Sequence, residues 1–133
     1  RVMLQEMSEL QHQGGDLCYR FLYAKPGQAV DLTKYVSANT MEANFAAVSQ
    51  IVRTSTVAPQ AAPQQAEVAL SLRPVLEALS GRYGADLALL KNPQAPGADP
   101  DKLCSISIDM YTVILQRPTP ESGKLIRFLL GQG

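Results

Sequence analysis

Two cysteines, one histidine, a scatter of carboxylates and a small group of tyrosines carry what chemistry this chain can offer. Cys18 lies in "GGDLCYRFLYAKPG" and Cys104 in "DPDKLCSISIDMY". With a single histidine, they fall short of the four ligands of a structural zinc site, and no CxxC occurs. Neither a metal nor a cofactor is expected. A reactive thiolate needs a cationic, open neighbourhood. Arg20 is the nearest cation to Cys18 in sequence, yet on a helix it points about 160° away. Two readings remain. The cysteines are inert buried thiols, or they are the two ends of one disulfide that closes a long loop. The disulfide explains more, because both residues point toward the interior. It implies an oxidising space, either a periplasm or the outside of a cell.

His12 stands between Gln11 and Gln13, about 180° from the apolar side of its helix, so it reads as solvated rather than as a general base. Glu6 and Glu9 share a helix face three residues apart and read as a solvated pair. Asp99 and Asp101 flank Pro100 and suit a helix start, where the positive end of the dipole favours acids. Asp109 is an acid inside the most apolar segment. It is read as lying on a thin wet edge, with a pairing to Arg20 or Arg73 as the alternative. Tyr19, Arg20 and Tyr23 form the best candidate surface for a partner, since Tyr and Arg are favoured interface anchors. No GxSxG, HExxH or phosphate-loop pattern occurs.

These residues must be positioned by helices. The chain has 133 residues, enough for one domain with a true core. Apolar residues make up 46% and charged residues 18%, which excludes a disordered chain. The formal net charge is zero. No basic surplus exists to neutralise phosphates, so neither nucleic acid nor an anionic membrane is an expected partner. No apolar run approaches the roughly 18 residues of a membrane span. The chain opens on Arg1 rather than Met, which reads as a processed or excised chain with room for an anchor upstream.

Apolar residues recur at helical spacing throughout. Met3, Met7, Leu10, Gly14, Leu17 and Phe21 fall within about 40° of one line, which predicts one long helix, kinked or straight, through Gly14 and Gly15. A second helix is predicted after "SANTMEA", opened by Asn39 and Glu42, with Met41, Phe45, Val48 and Val52 as its inward stripe. A short turn capped by Asp31 precedes it. The Ala, Pro and Gln-rich connector 56–66 separates this helix from a third, whose inward side carries Val68, Leu72, Val75, Leu79 and Tyr83 and which contains Pro74. The Pro and Gly-rich loop 92–101 leads to a fourth over 103–116. There Ser105, Asp109, Thr112 and Gln116 share a narrow polar edge that a strand cannot align. Thr119 caps a fifth, with Leu125, Ile126, Phe128 and Leu129 inward.

The expected fold is therefore all-α: one helical domain over residues 1–133, a bundle of about five amphipathic helices with the 103–116 helix central. The expected function is a non-catalytic module outside the cytoplasm that binds another protein, in the manner of an inhibitor, an immunity protein or a cell-envelope assembly domain. The alternatives are a carrier of a small apolar ligand between helices, and an enzyme assembled around Asp109 with Arg20 and Tyr111.

Overall fold

The computed structural model describes residues 1–14, 16–61 and 63–131. Among the described residues there are six α-helices, two 3₁₀ segments and no strand. The helices are α1 (Val2–Gln13), α2 (Leu17–Leu22), α3 (Ala38–Val57), α4 (Gln65–Tyr83), α5 (Pro100–Leu115) and α6 (Thr119–Leu130). The 3₁₀ segments are Leu32–Lys34, before α3, and Gly84–Lys91, directly after α4. No helix among them is long and apolar enough to cross a membrane.

The bundle is organised around α5. Asp99 opens it by accepting from the backbone N–H groups of Asp101 and Lys102, and Pro100 occupies the first turn. Leu103, Cys104, Ile106, Ser107, Met110, Tyr111 and Ile114 are all buried along its length. Helices α1, α2, α4 and α6 each pack against it, which is what a helix with so wide an apolar arc demands. Met7 and Leu10 from α1, Val75 and Leu79 from α4 and Leu125 from α6 complete the core. The apolar stripes read for α4 and α6 are the faces they bury, and α4 runs on through Pro74.

Three local expectations are corrected. The first helix does not run through the glycine pair. Gly14 takes φ +82° and ψ −176°, a conformation open essentially only to glycine, and the chain breaks there. Gly15 lies outside the described residues. The cap of α3 is Ser37, two residues before Asn39: its hydroxyl accepts from the Thr40 N–H, and the helix begins at Ala38. Helix α6 already includes Thr119, whose side chain makes no capping bond. The Asp31 turn stands as read, with its carboxylate accepting from the Thr33 N–H.

The break at Gly14 starts α2 afresh and turns Cys18 onto the flank of α5. Cys18 and Cys104 lie at disulfide distance, with Cα atoms 5.8 Å apart at a sequence separation of 86. Both are almost fully buried. A closed loop of that length limits the unfolded chain far more than the folded one, so the Cys18→Ala/Cys104→Ala protein should lose about 2–4 kcal/mol of unfolding free energy. Urea denaturation of both proteins measures the loss, and alkylation of freshly isolated protein should label no thiol until a reductant is added.

Candidate functional site

The residues singled out for chemistry do not assemble into one place. His12 is exposed on α1 and its Nδ1 bonds the Ser8 carbonyl at 2.7 Å. Arg20 faces Asp16 at 3.8 Å. Asp109 is half-buried rather than on an open edge. It accepts from the Tyr83 hydroxyl at 2.6 Å and pairs with Arg82 at 2.5 Å, so its cation comes from the end of α4 and not from Arg20 or Arg73. Burial, then the bond to Asp109, pushes the Tyr83 phenol up to about 12. This constellation ties the C-terminal turn of α4 to α5. Tyr111 belongs to a different surface altogether.

Tyr19 and Tyr23 do come together, with ring centroids 5.3 Å apart. Tyr19 is not open to solvent as its wheel position suggested. The 92–101 loop covers it, and its hydroxyl donates to the Pro93 carbonyl at 3.2 Å. Tyr23 reaches the other way, to the Ser107 hydroxyl at 3.3 Å. It thereby enters an open cleft of about 1380 Å³. The walls are α4, from Ala69 to Ser80, and the 3₁₀ segment after it. The floor is α5 at Ser107, Met110 and Tyr111, while Met3, Phe21 and Leu129 close the ends. Leu76 and Leu130 are exposed on its rim. The 3₁₀ segment forms the second wall. Gly84, at φ +52°, ends α4 and begins this segment, which packs on α5 and is tied to it by Asp86 and Lys102 at 3.0 Å. Among the described residues no cluster of three or more potential metal ligands occurs.

The apolar stripe of α3 faces away from the rest of the protein. The stripe Met41, Phe45, Val48 and Val52 was expected to pack inward. Instead α3 meets α1 through Thr40, Ala43, Asn44 and Ala47, roughly 120° round the helix from that stripe. Phe45 is 67% exposed, Val48 51% and Val52 56%. The attraction across the seam is polar. Glu9 accepts from the Thr40 hydroxyl at 2.5 Å and from the Ser37 N–H at 2.6 Å, and Glu6 accepts from the Asn44 amide. Glu6 is almost fully buried, so the solvated pair of the sequence reading is instead the core of a helix–helix contact. The signal was present: carboxylates three apart on α1 face a hydroxyl and an amide four apart on an antiparallel α3.

The two carboxylates titrate in opposite senses. Burial raises the Glu6 carboxyl above its ordinary 4.5, against the pull of the Asn44 bond. The bonds from Thr40 and Ser37 lower that of Glu9. Glu6 therefore binds its proton more tightly folded than unfolded, and its contribution falls as pH rises through the raised value. Glu9 contributes fully above the ordinary glutamate range and loses that contribution as pH drops through its lowered value. The Glu6→Gln protein should thus melt higher than wild type at neutral pH, with the gap closing below the ordinary glutamate pKa. Glu9→Gln should melt lower at neutral pH, with its gap closing on strong acidification. Thermal melts across the acid range test both.

Compared with known proteins, the chain matches no family model, no curated protein and no solved structure.

Proposed function

We propose that the protein is a non-catalytic binding module that works outside the cytoplasm and grips another protein with the apolar face of α3. The supporting observation is the exposure of that face. From Val48 to Val57 every residue is exposed. Eight of these ten residues are Val, Ile, Ser or Thr, all weak helix formers. Summed, they disfavour helix by roughly 4 kcal/mol relative to alanine. Helices in proteins draw most of their stability from packing an apolar face against a neighbour. Among the described residues the additional bonds here are local, from the hydroxyls of Thr54, Ser55 and Thr56 and the guanidinium of Arg53 back to carbonyls three or four residues earlier. A partner laid over Phe45, Val48, Ile51 and Val52 would supply about 4–6 kcal/mol through burial alone. An amphipathic helix offering residues at i, i+3 and i+7 suits a groove on a protein.

The cysteine pair at disulfide distance supports this choice of compartment, since such a pair suits an oxidising space. An inhibitor, an immunity-type protein or a piece of a cell-envelope assembly would present such a face.

A photo-crosslinking residue placed at Val48, and in a control at Gln50 on the opposite side of α3, tests the reading. The Val48 probe should capture one discrete protein from the native source that the Gln50 probe does not. That protein, purified, should bind the wild type and protect the amides of residues 48–57 from hydrogen exchange. Val48→Asp should weaken it at least about tenfold, the loss of one well-buried anchor. Equal capture from both positions, or equal affinity after Val48→Asp, would sink the reading.

A further inference from the structure

The cleft beside α4 is a second surface, and its floor is chemically unlike its walls. Leu72, Leu76 and Leu87 wall it with hydrocarbon, whereas three hydroxyl-bearing residues line its floor: Tyr23, Ser107 and Tyr111. Ser107 and Tyr111 are one turn apart on α5, 1% and 7% exposed. The Tyr23 and Ser107 oxygens are 3.3 Å apart, long for a hydroxyl pair. The Tyr111 hydroxyl has no hydrogen-bond partner among the described residues, and its ring is more than nine-tenths buried. Three hydroxyls bring three O–H donors. One is used between Tyr23 and Ser107, which leaves two with no protein acceptor among the described residues. Neither donor is sealed from solvent, so water in the open cleft satisfies both, and a ligand that displaces this water must bring an acceptor in its place.

The charge of that acceptor is set by what surrounds it. The cations of the cleft, Arg73 and Lys91, are exposed at its rim, and Arg73 is already paired with Glu77 at 3.0 Å. No cation accompanies the hydroxyls on the floor. A carboxylate or phosphate drawn down to them would lose its water without gaining a counter-charge. A neutral carbonyl oxygen has two lone pairs, matches two donors, and loses little on leaving water.

We infer that the cleft is a binding site for an elongated apolar molecule carrying a neutral carbonyl group, an ester, ketone or amide, whose oxygen is held by the hydroxyls of Tyr111 and of the Tyr23–Ser107 pair while its hydrocarbon lies between α4 and the 3₁₀ segment. The site is separate from the α3 face and does not depend on it. Met3 and Met110 line the cleft, Met7 is sealed in the core and Met41 sits on α3, so the four methionine methyls report independently on each region.

Methyl NMR titration of the full chain with methyl laurate, laurate and decane tests the assignment. Methyl laurate should shift the Met3 and Met110 methyls saturably and leave Met41 in place. It should bind about tenfold more tightly than decane, the worth of one to two net hydrogen bonds. Tyr111→Phe should erase that advantage and leave decane binding unchanged, with an unmoved Met7 methyl showing that the core is intact. Tyr23→Phe, farther from the core, should reduce the advantage in part. Three results would overturn the inference: no saturable shift at Met3 and Met110, undiminished preference for the ester in Tyr111→Phe, or tighter binding of laurate than of its methyl ester, which would make the rim cations the selecting groups.

Discussion

A helix that is apolar on nearly every side is stable in water only when other helices wrap it, and α5 places that demand on the whole molecule. Leu103, Ile106 and Ile114 have no exposure at all. Four helices are recruited to cover them, and each answers with an apolar stripe of its own. The few polar atoms that α5 carries inward then become informative, because each must find a partner or be left short. Asp109 finds two, Tyr83 and Arg82, at the end of α4. Ser107 has only the long contact with Tyr23, Tyr111 has no hydrogen-bond partner among the described residues, and both line the cleft. The cleft lies between α4 and the 3₁₀ segment that follows it, with α5 beneath.

Helix α3 obeys a different rule. It takes no part in covering α5 and is held to α1 by carboxylates, hydroxyls and an amide. A polar seam of this kind fixes register and orientation more than it adds stability, since Glu6 resists burial even while Asn44 bonds it. The result is a helix held in place by one side and offered to its surroundings by another. The antiparallel seam uses up α1 by about Ala47. Ile51 shares the phase of the seam yet is 64% exposed, because no residue of α1 faces it.

Much of the fold was legible because an apolar period of 3.6 is a strong and local signal. The polar quartet Ser105, Asp109, Thr112 and Gln116 identified α5 as a helix despite its strand-like "SISI" run, and Asp99 with Pro100 located its start. The inward position of Cys18 and Cys104 followed from the same wheel arithmetic. What periodicity cannot convey is what a stripe lies against. It reported α3 as amphipathic and left open whether the apolar side met the protein or the solvent. It also cannot weigh a glycine pair against a stripe that stays in phase across it. At Gly14 the backbone conformation won, and α2 resumed the same phase only after a break. The cleft was beyond reach for a related reason. Tyr23 and Tyr111 are 88 positions apart in a chain that gives no local sign of their meeting.

The cysteine pair has a topological meaning as well as an energetic one. The covalent ring it closes holds most of α2, all of α3 and α4, the 3₁₀ segments and the first residues of α5. The exposed stretch at residues 58–61 lies inside that ring. With the sulfurs bonded, a protease that severs the backbone there produces no free fragment: both pieces remain one molecule, and α4 stays against α5 through its own buried side chains. The nicked protein keeps its mass but for one added water, and it separates into two chains only under reducing, unfolding conditions. A protein so joined keeps its core assembled after that exposed segment is cut.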